Sequence, residues 1–310
     1  MEKKRPSLAL ITNPYAGRGG RQRAREVARF CEQLGAHGRT VEVLHTAGPG
    51  DAATLAARAA ADGAQIVIAS GVDGTINEVL QGLLGTASQL AIWPAGTANV
   101  LAHEITMPFD AELAADVIAR GAWRRIHAGC AIREDTGEKR FFLLMAGIGL
   151  DASVVRRVKP QLKRRIGEAA FWYSGLEHLA SWQPELFSVE IDDQSFPATF
   201  AAVGKSPHYG GGLAITPRAR LEAAEFEVCI VSSHSRLRYL RLLTDVVRGA
   251  ADAGADADVC FQRATRVRAA GQAFVQADGE LIGQLPMTFE IAPATIDLIV
   301  PPALSTRIMS

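Results

Sequence analysis

Four short, mostly apolar runs recur through the first hundred residues: 8–11 (Leu-Ala-Leu-Ile), 41–44 (Val-Glu-Val-Leu), 66–69 (Ile-Val-Ile-Ala) and 90–93 (Leu-Ala-Ile-Trp). Apolar runs with little alternation read as strands buried on both faces, the kind found in parallel sheets. Between them lie stretches of helical length at 20–34, 51–61 and 76–84, with a further helix near 111–120. The alanine richness of 51–61 reflects helix propensity, and Asp51 suits the N-cap. Strands that alternate with helices predict a doubly wound α/β sheet, whose ligands gather beyond the carboxyl ends of the strands.

After residue 120 the period changes. Segments 141–146, 187–191, 199–203, 226–231, 265–269, 274–276 and 288–291 are short, often alternating and separated by turn residues. They predict an antiparallel, β-rich sandwich, interrupted by helices near 167–182 and 236–247. Residues 249–258 read as a small, polar, exposed connection. The boundary falls at 121–128, giving an α/β nucleotide-binding domain over 1–127 and a β-rich domain over 128–310, with the extreme C-terminus free to return to the first.

Composition narrows the field. A chain of 310 residues favours two domains, and 48% hydrophobic with 21% charged residues is an ordinary soluble balance. Zero net charge gives no general attraction to nucleic acid or to an anionic membrane. Cys31, Cys130, Cys229 and Cys260 lie far apart without a CxxC pair, so neither a zinc site nor a disulfide framework is expected, and a cytoplasmic location fits. The apolar run after Met1 is too brief for a signal peptide. No window approaches the roughly 20 apolar residues that span a bilayer.

Chemistry concentrates in the turns. Gly71-Val72-Asp73-Gly74-Thr75-Ile76-Asn77-Glu78 follows the third apolar run, and Pro94-Ala95-Gly96-Thr97-Ala98-Asn99 follows the fourth. A strand that ends in a Gly/Thr/Asn turn and enters a helix aims several backbone N–H groups at one point, which attracts phosphate. Asn13-Pro14-Tyr15-Ala16-Gly17 occupies the same place after the first run. Three further stretches complete the pattern: Gly147-Ile148-Gly149-Leu150-Asp151-Ala152, Tyr209-Gly210-Gly211-Gly212 and Asp278-Gly279-Glu280. In this order and spacing they resemble the diacylglycerol kinase catalytic family, which includes bacterial lipid kinases and sphingosine kinases and is distantly related to NAD kinase.

The resemblance implies ATP and Mg2+ as cofactors and a lipid hydroxyl, diacylglycerol or a related lipid, as phosphoryl acceptor. It places the nucleotide against Asn13, Pro14, Gly17 and Thr46, and against the loop Gly71, Val72, Asp73, Gly74 and Thr75 with Glu78. The second loop adds Gly96, Thr97 and Asn99. Asp73 would support magnesium, with Asp278 as a second carboxylate, and Glu280 would accept the hydroxyl proton with Asp278 as its partner. Plainer readings stand beside these: Asp73 as an Asx-turn residue capping a helix that begins at Thr75, and Asp-Gly as a hairpin dipeptide. The Gly147–Gly149 stretch is a poor dinucleotide fingerprint and reads as cleft wall, with Asp151 capping a helix. Lys163 could reach a phosphate or simply be solvated.

Three positions depart from the family. Val72 replaces a glycine that elsewhere lets backbone approach phosphate; a β-branched residue there disfavours positive φ and adds bulk, which could weaken ATP binding or abolish it. Lys205 stands where asparagine is common. Ala223-Ala224 replace an Asp-Gly that helps hold a structural metal in some bacterial members, so no structural metal is expected. From Arg156 to Trp182, six basic residues in ten precede an aromatic segment, which suits either transient docking at an anionic membrane or a core-packing helix. A catalytically impaired nucleotide- or lipid-binding protein and a kinase with a non-lipid acceptor, as in NAD kinase, remain the alternatives. No nucleic-acid partner is expected, and the sequence leaves a homodimer open.

Overall fold

A computed structural model describes residues 8–14, 20–95, 99–150, 152, 184–209, 213–247 and 258–302. The chain divides into two units, Met1–Ile126 with Ala294–Ser310, and His127–Pro293.

The first unit begins with β1 (Leu8–Thr12), α1 (Gly20–Ala36), β2 (Val41–His45), α2 (Asp51–Ala61) and β3 (Ile66–Gly71). It continues with α3 (Asp73–Leu83), β4 (Gln89–Pro94), α4 (Val100–Glu104) and α5 (Ala111–Arg120). The strands are parallel in the order β2-β1-β3-β4. Because β1 connects outward to β2 while the chain returns to β3 on its other side, the switch point lies between β1 and β3. β1, β3 and β4 are almost wholly buried, which is why their sequences lack a polar face. Helices α2 and α3 pack at backbone distance: a β-carbon on Gly82 would lie 2.1 Å from the Ala53 carbonyl oxygen.

Two local expectations change. Helix α2 starts at Asp51 itself, behind Gly50 at φ 85°, and the Asp51 carboxylate accepts from the Ala47 and Gly48 amides rather than capping its own helix. Helix α3 starts at Asp73, earlier than residue 76, with Val72 as N-cap.

The second unit is antiparallel. Its strands are β5 (Trp123–Arg133), β6 (Lys139–Phe142), β7 (Met145–Gly149), β8 (Phe187–Ile191), β9 (Gln194–Ala198), β10 (Phe200–Gly204), β11 (His208–Tyr209) and β12 (Leu213–Ala214). They continue as β13 (Phe226–Val231), then helix α6 (Arg236–Val247), β14 (Val259–Ala264), β15 (Arg266–Ala270), β16 (Phe274–Ala277), β17 (Glu280–Gln284) and β18 (Met287–Ile299). One sheet runs β14-β13-β10-β7-β16-β17, and a second layer joins β9, β8, β15 and the start of β18. Phe142, Ile148, Val203 and Val275 share one core with Val189, Val267 and Phe289, so two sheets close on each other as a sandwich. The division between units falls inside β5 and β18 rather than in a loop: Leu298, near the end of β18, pairs in parallel with Leu90 of the first unit. Residues 151, 153–183 and 248–257 carried the predicted cap, membrane-type segment and exposed connection, and they lie outside the described residues, as does Lys163.

Candidate functional site

Strand register brings the turns of the first unit to one edge. Thr12 of β1 aligns with Ser70 of β3 and His45 of β2, and Gly71 aligns with Pro94 of β4. The residues that follow, Asn13-Pro14, Thr46, Val72-Asp73 and Ala95, therefore leave the sheet at the same end. Hydrogen bonds tie these exits together. The Thr46 amide donates to the Thr12 carbonyl at 3.1 Å, and the Ala95 amide to the Gly71 carbonyl at 2.9 Å.

Asn99 and Asp73 join the two phosphate-type turns. Asn99 is fully buried. Its Nδ2 donates to the Gly71 carbonyl at 3.1 Å, while its Oδ1 accepts from the Ala102 amide at 3.0 Å and caps α4. Asp73 Oδ2 accepts from the Val100 amide at 3.2 Å, so this carboxylate braces the neighbouring helix rather than its own. Gly71 is dictated by Thr75: a β-carbon on Gly71 would stand 2.5 Å from Thr75 Oγ1 and 2.6 Å from Thr75 Cβ. Gly74 is the second residue of α3. Glu78 accepts from the Ala52 amide at 3.3 Å and links α3 to α2. Gly17, Gly96 and Thr97 lie outside the described residues.

The strain expected of Val72 is absent. Its backbone is extended, at φ −88° and ψ 174°, and its side chain is 46% exposed. A β-branched residue is at ease in that region.

A buried arginine, Arg23 of α1, lies behind these turns. It donates to Thr12 Oγ1 at 3.3 Å and to Ser70 Oγ, and its guanidinium lies 4.3 Å from the centre of the Trp93 ring, which stacks on Phe30. Burial lowers its pKa, against the opposing pull of Glu26. Sequence reasoning missed it, since Arg18, Arg21, Arg23 and Arg25 look alike along the chain.

The second unit carries the other two carboxylates on one hairpin. Asp278 at φ 47° and Gly279 at φ 83° form a two-residue turn between β16 and β17, with Ala277 opposite Glu280. The Asp278 carboxylate is buried and accepts from the Leu143, Leu144 and Met145 amides at 2.8–3.1 Å. It thereby anchors the turn onto the chain entering β7. Glu280, 39% exposed, pairs with Arg140 of β6. That arginine was not legible from sequence, because the two residues lie 140 positions apart. Gly149, at φ 87°, is required by close packing: a β-carbon would lie 2.6 Å from the Thr199 carbonyl oxygen. Of the Tyr209–Gly212 stretch, residues 210–212 lie outside the described residues.

An open parallel sheet whose turns gather beside its switch point, followed along the chain by an antiparallel sandwich, defines a two-part α/β fold. Comparison with known proteins gives the family. Residues 7–131 match the diacylglycerol kinase catalytic domain, and residues 145–300 match the YegS C-terminal NAD kinase beta sandwich-like domain. The chain belongs to the diacylglycerol kinase family. It is similar to a diacylglycerol kinase of Mycobacterium tuberculosis, 30% identical over 204 residues (64% of this chain, 65% of that protein). It is also similar to one of Bacillus subtilis, 29% identical over 192 residues (61% of each). The chain thus spans less than two thirds of the length of these curated relatives. Its fold matches the crystal structure of a diacylglycerol kinase from Bacillus anthracis, with TM-score 0.74 at 21% identity over 97% of this chain and 99% of that one. A second crystal structure from that organism gives 0.79 at 22% identity with the same coverage.

Proposed function

We propose that this protein transfers the γ-phosphoryl group of ATP to the hydroxyl of a lipid, diacylglycerol or a close relative. The observation that carries this reading is the convergence of three strand-to-helix or strand-to-loop turns at one edge of a parallel sheet, beside its switch point. Family membership supports a kinase, and the names of the relatives support a lipid acceptor. Phosphoryl transfer asks a protein mainly for positioning and charge neutralisation. The amides at the start of α3 and the Thr75 hydroxyl suit the phosphate oxygens. Asp73 lies in that same ring of turns and is the carboxylate that would take Mg2+ together with phosphate oxygens, while other described acidic residues form no metal-binding group of their own. When bound, the ion would neutralise charge on the phosphates.

Glu280, held by Arg140, is the proton acceptor in this reading. The acceptor oxygen bonds to the γ-phosphorus, the bond from that phosphorus to the bridging oxygen of ADP breaks, and the hydroxyl proton passes to Glu280. Asp278 positions the turn through the three backbone amides from which its oxygens accept. No described helix is long and apolar enough to cross a membrane. In this reading the lipid substrate is met at a membrane surface, and the segment from Arg156 to Trp182 is the part proposed to touch it. An ATP-dependent phosphorylation assay over diacylglycerol, other lipid alcohols and NAD tests the proposal. Label should enter a lipid, and Asp73→Asn should lower turnover by about 10²-fold or more. Label in NAD alone, or in nothing, would overturn it.

A further inference from the structure

Lys205, just past the end of β10, is fully buried. An ammonium group deprived of water needs an acceptor for each of its three N–H bonds. Lys205 Nζ finds three, all main-chain carbonyls of a single loop: Arg220 and Glu225 at 3.2 Å each, and Ala223. The carboxylates of Glu222 and Glu225 add favourable charge. Burial pulls this ammonium down to about 8, so it still holds its proton at neutral pH. His127 feels it as a neighbouring positive charge.

The same loop is fastened at its other end by the opposite charge. Glu227 of β13, buried and in register with Gly204, accepts from the Arg218 and Ala219 amides at 2.6 and 3.1 Å. Thr216 closes the base: its hydroxyl donates to the Ser206 carbonyl at 2.9 Å, and it fills the space over Gly204, where a β-carbon would lie 2.0 Å from Thr216 Oγ1.

Several carbonyl oxygens from one loop around one positive centre is how proteins hold hard divalent cations. Here the positive centre is attached to the chain. The residues do not fit a metal in addition: Ala223 and Ala224 offer no side-chain oxygen, and Nζ already fills the ring of carbonyls. We propose that Lys205 is a tethered structural cation, which closes residues 216–225 in place of a bound divalent ion and frees the β-rich unit from any metal requirement there.

Thermal unfolding of the full chain without nucleotide tests this. The midpoint should be the same in EDTA and in excess magnesium. Lys205→Met, which keeps the side chain's bulk and removes its charge, should lower the midpoint by about 5–10 °C. A wild-type midpoint that falls in EDTA overturns the proposal, as does a Lys205→Met protein as stable as the wild type. If Lys205→Met fails to fold, NMR of the side-chain ammonium groups in the unmodified protein decides. Lys205 should give a signal protected from exchange with water; the absence of any protected ammonium would refute a caged cation.

Discussion

Adjacent residues in the first phosphate-type loop answer to different constraints. Gly71 has no room for a side chain, since the space beside its α-carbon is taken by the β-carbon and hydroxyl of Thr75. Gly71→Ala would press on the rigid first turn of α3, and overpacking of this kind costs about 1–3 kcal/mol. The same push moves the Thr75 hydroxyl away from where the proposed function puts a phosphate, so calorimetry should show a lower midpoint and, if that proposal holds, titration a weaker hold on ATP. Val72 is the reverse case. With an extended backbone and a side chain turned to solvent, it has nothing for glycine to relieve. Val72→Gly should leave ATP affinity within about twofold and cost about 0.5–1 kcal/mol through added freedom of the unfolded chain. A tenfold gain in affinity would show that the valine does obstruct the phosphate. The motif exposed both positions, but not which one was constrained. That depends on φ and on a contact four residues ahead. Arg23 makes the same point from the other side: nothing in a basic stretch of sequence marks the one arginine that folds inward onto Trp93.

The hairpin between β16 and β17 separates the roles of two carboxylates that only Gly279 stands between. The dipeptide Asp278-Gly279 is legible as a turn, and the structure makes it one, with both residues at positive φ. What the sequence could not show is that Asp278 also serves the backbone entering β7, because residues 143–145 reach it only through the pairing of β16 with β7, more than 130 positions apart in the chain. Asp278→Ala leaves three buried amides without their acceptor, a loss of about 2–4 kcal/mol. Glu280 is partly exposed and its pair with Arg140 is worth roughly 0–1 kcal/mol, so Glu280→Gln should barely move the melting midpoint. If it is the proton acceptor, turnover should fall by about 10²- to 10⁴-fold while the binding of ATP stays unchanged. Denaturation curves and initial rates on the same two variants distinguish them. A Glu280→Gln enzyme with near-normal turnover removes Glu280 from the chemistry, and an Asp278→Ala protein as stable as wild type removes the anchor.

The alternation of strand and helix made the first unit readable because its strands are local, nearly continuous apolar runs whose burial on both faces leaves its mark on composition. The end of the chain was harder. Residues 288–291 read as a short strand, yet β18 runs for 13 residues and carries Leu298 to a parallel partnership with Leu90. Parallel pairing over some two hundred residues leaves no local signature, since both strands look like ordinary apolar segments. Its consequence is testable. Ile296, Leu298, Ile299 and Val300 are 0–3% exposed, so the first unit's core includes side chains from the far end of the chain. The Val300 amide donates to the Ala122 carbonyl at 2.9 Å, and Arg125 meets Asp297 at 2.9 Å, which fastens the strand within that unit. Leu298→Ala should therefore cost about 2–5 kcal/mol, in the range of a buried aliphatic truncation. Ending the chain at Pro293 removes the half of β18 that belongs to the first unit and leaves β4 with an unpaired edge. The fragment 1–126 made alone should then be unstable, and linking residues 294–302 to its end through a flexible spacer should restore protection. Limited proteolysis of the fragment with and without that tail reads the result directly. A fragment that resists protease equally well in both forms would show that the returning strand is dispensable to the unit it completes.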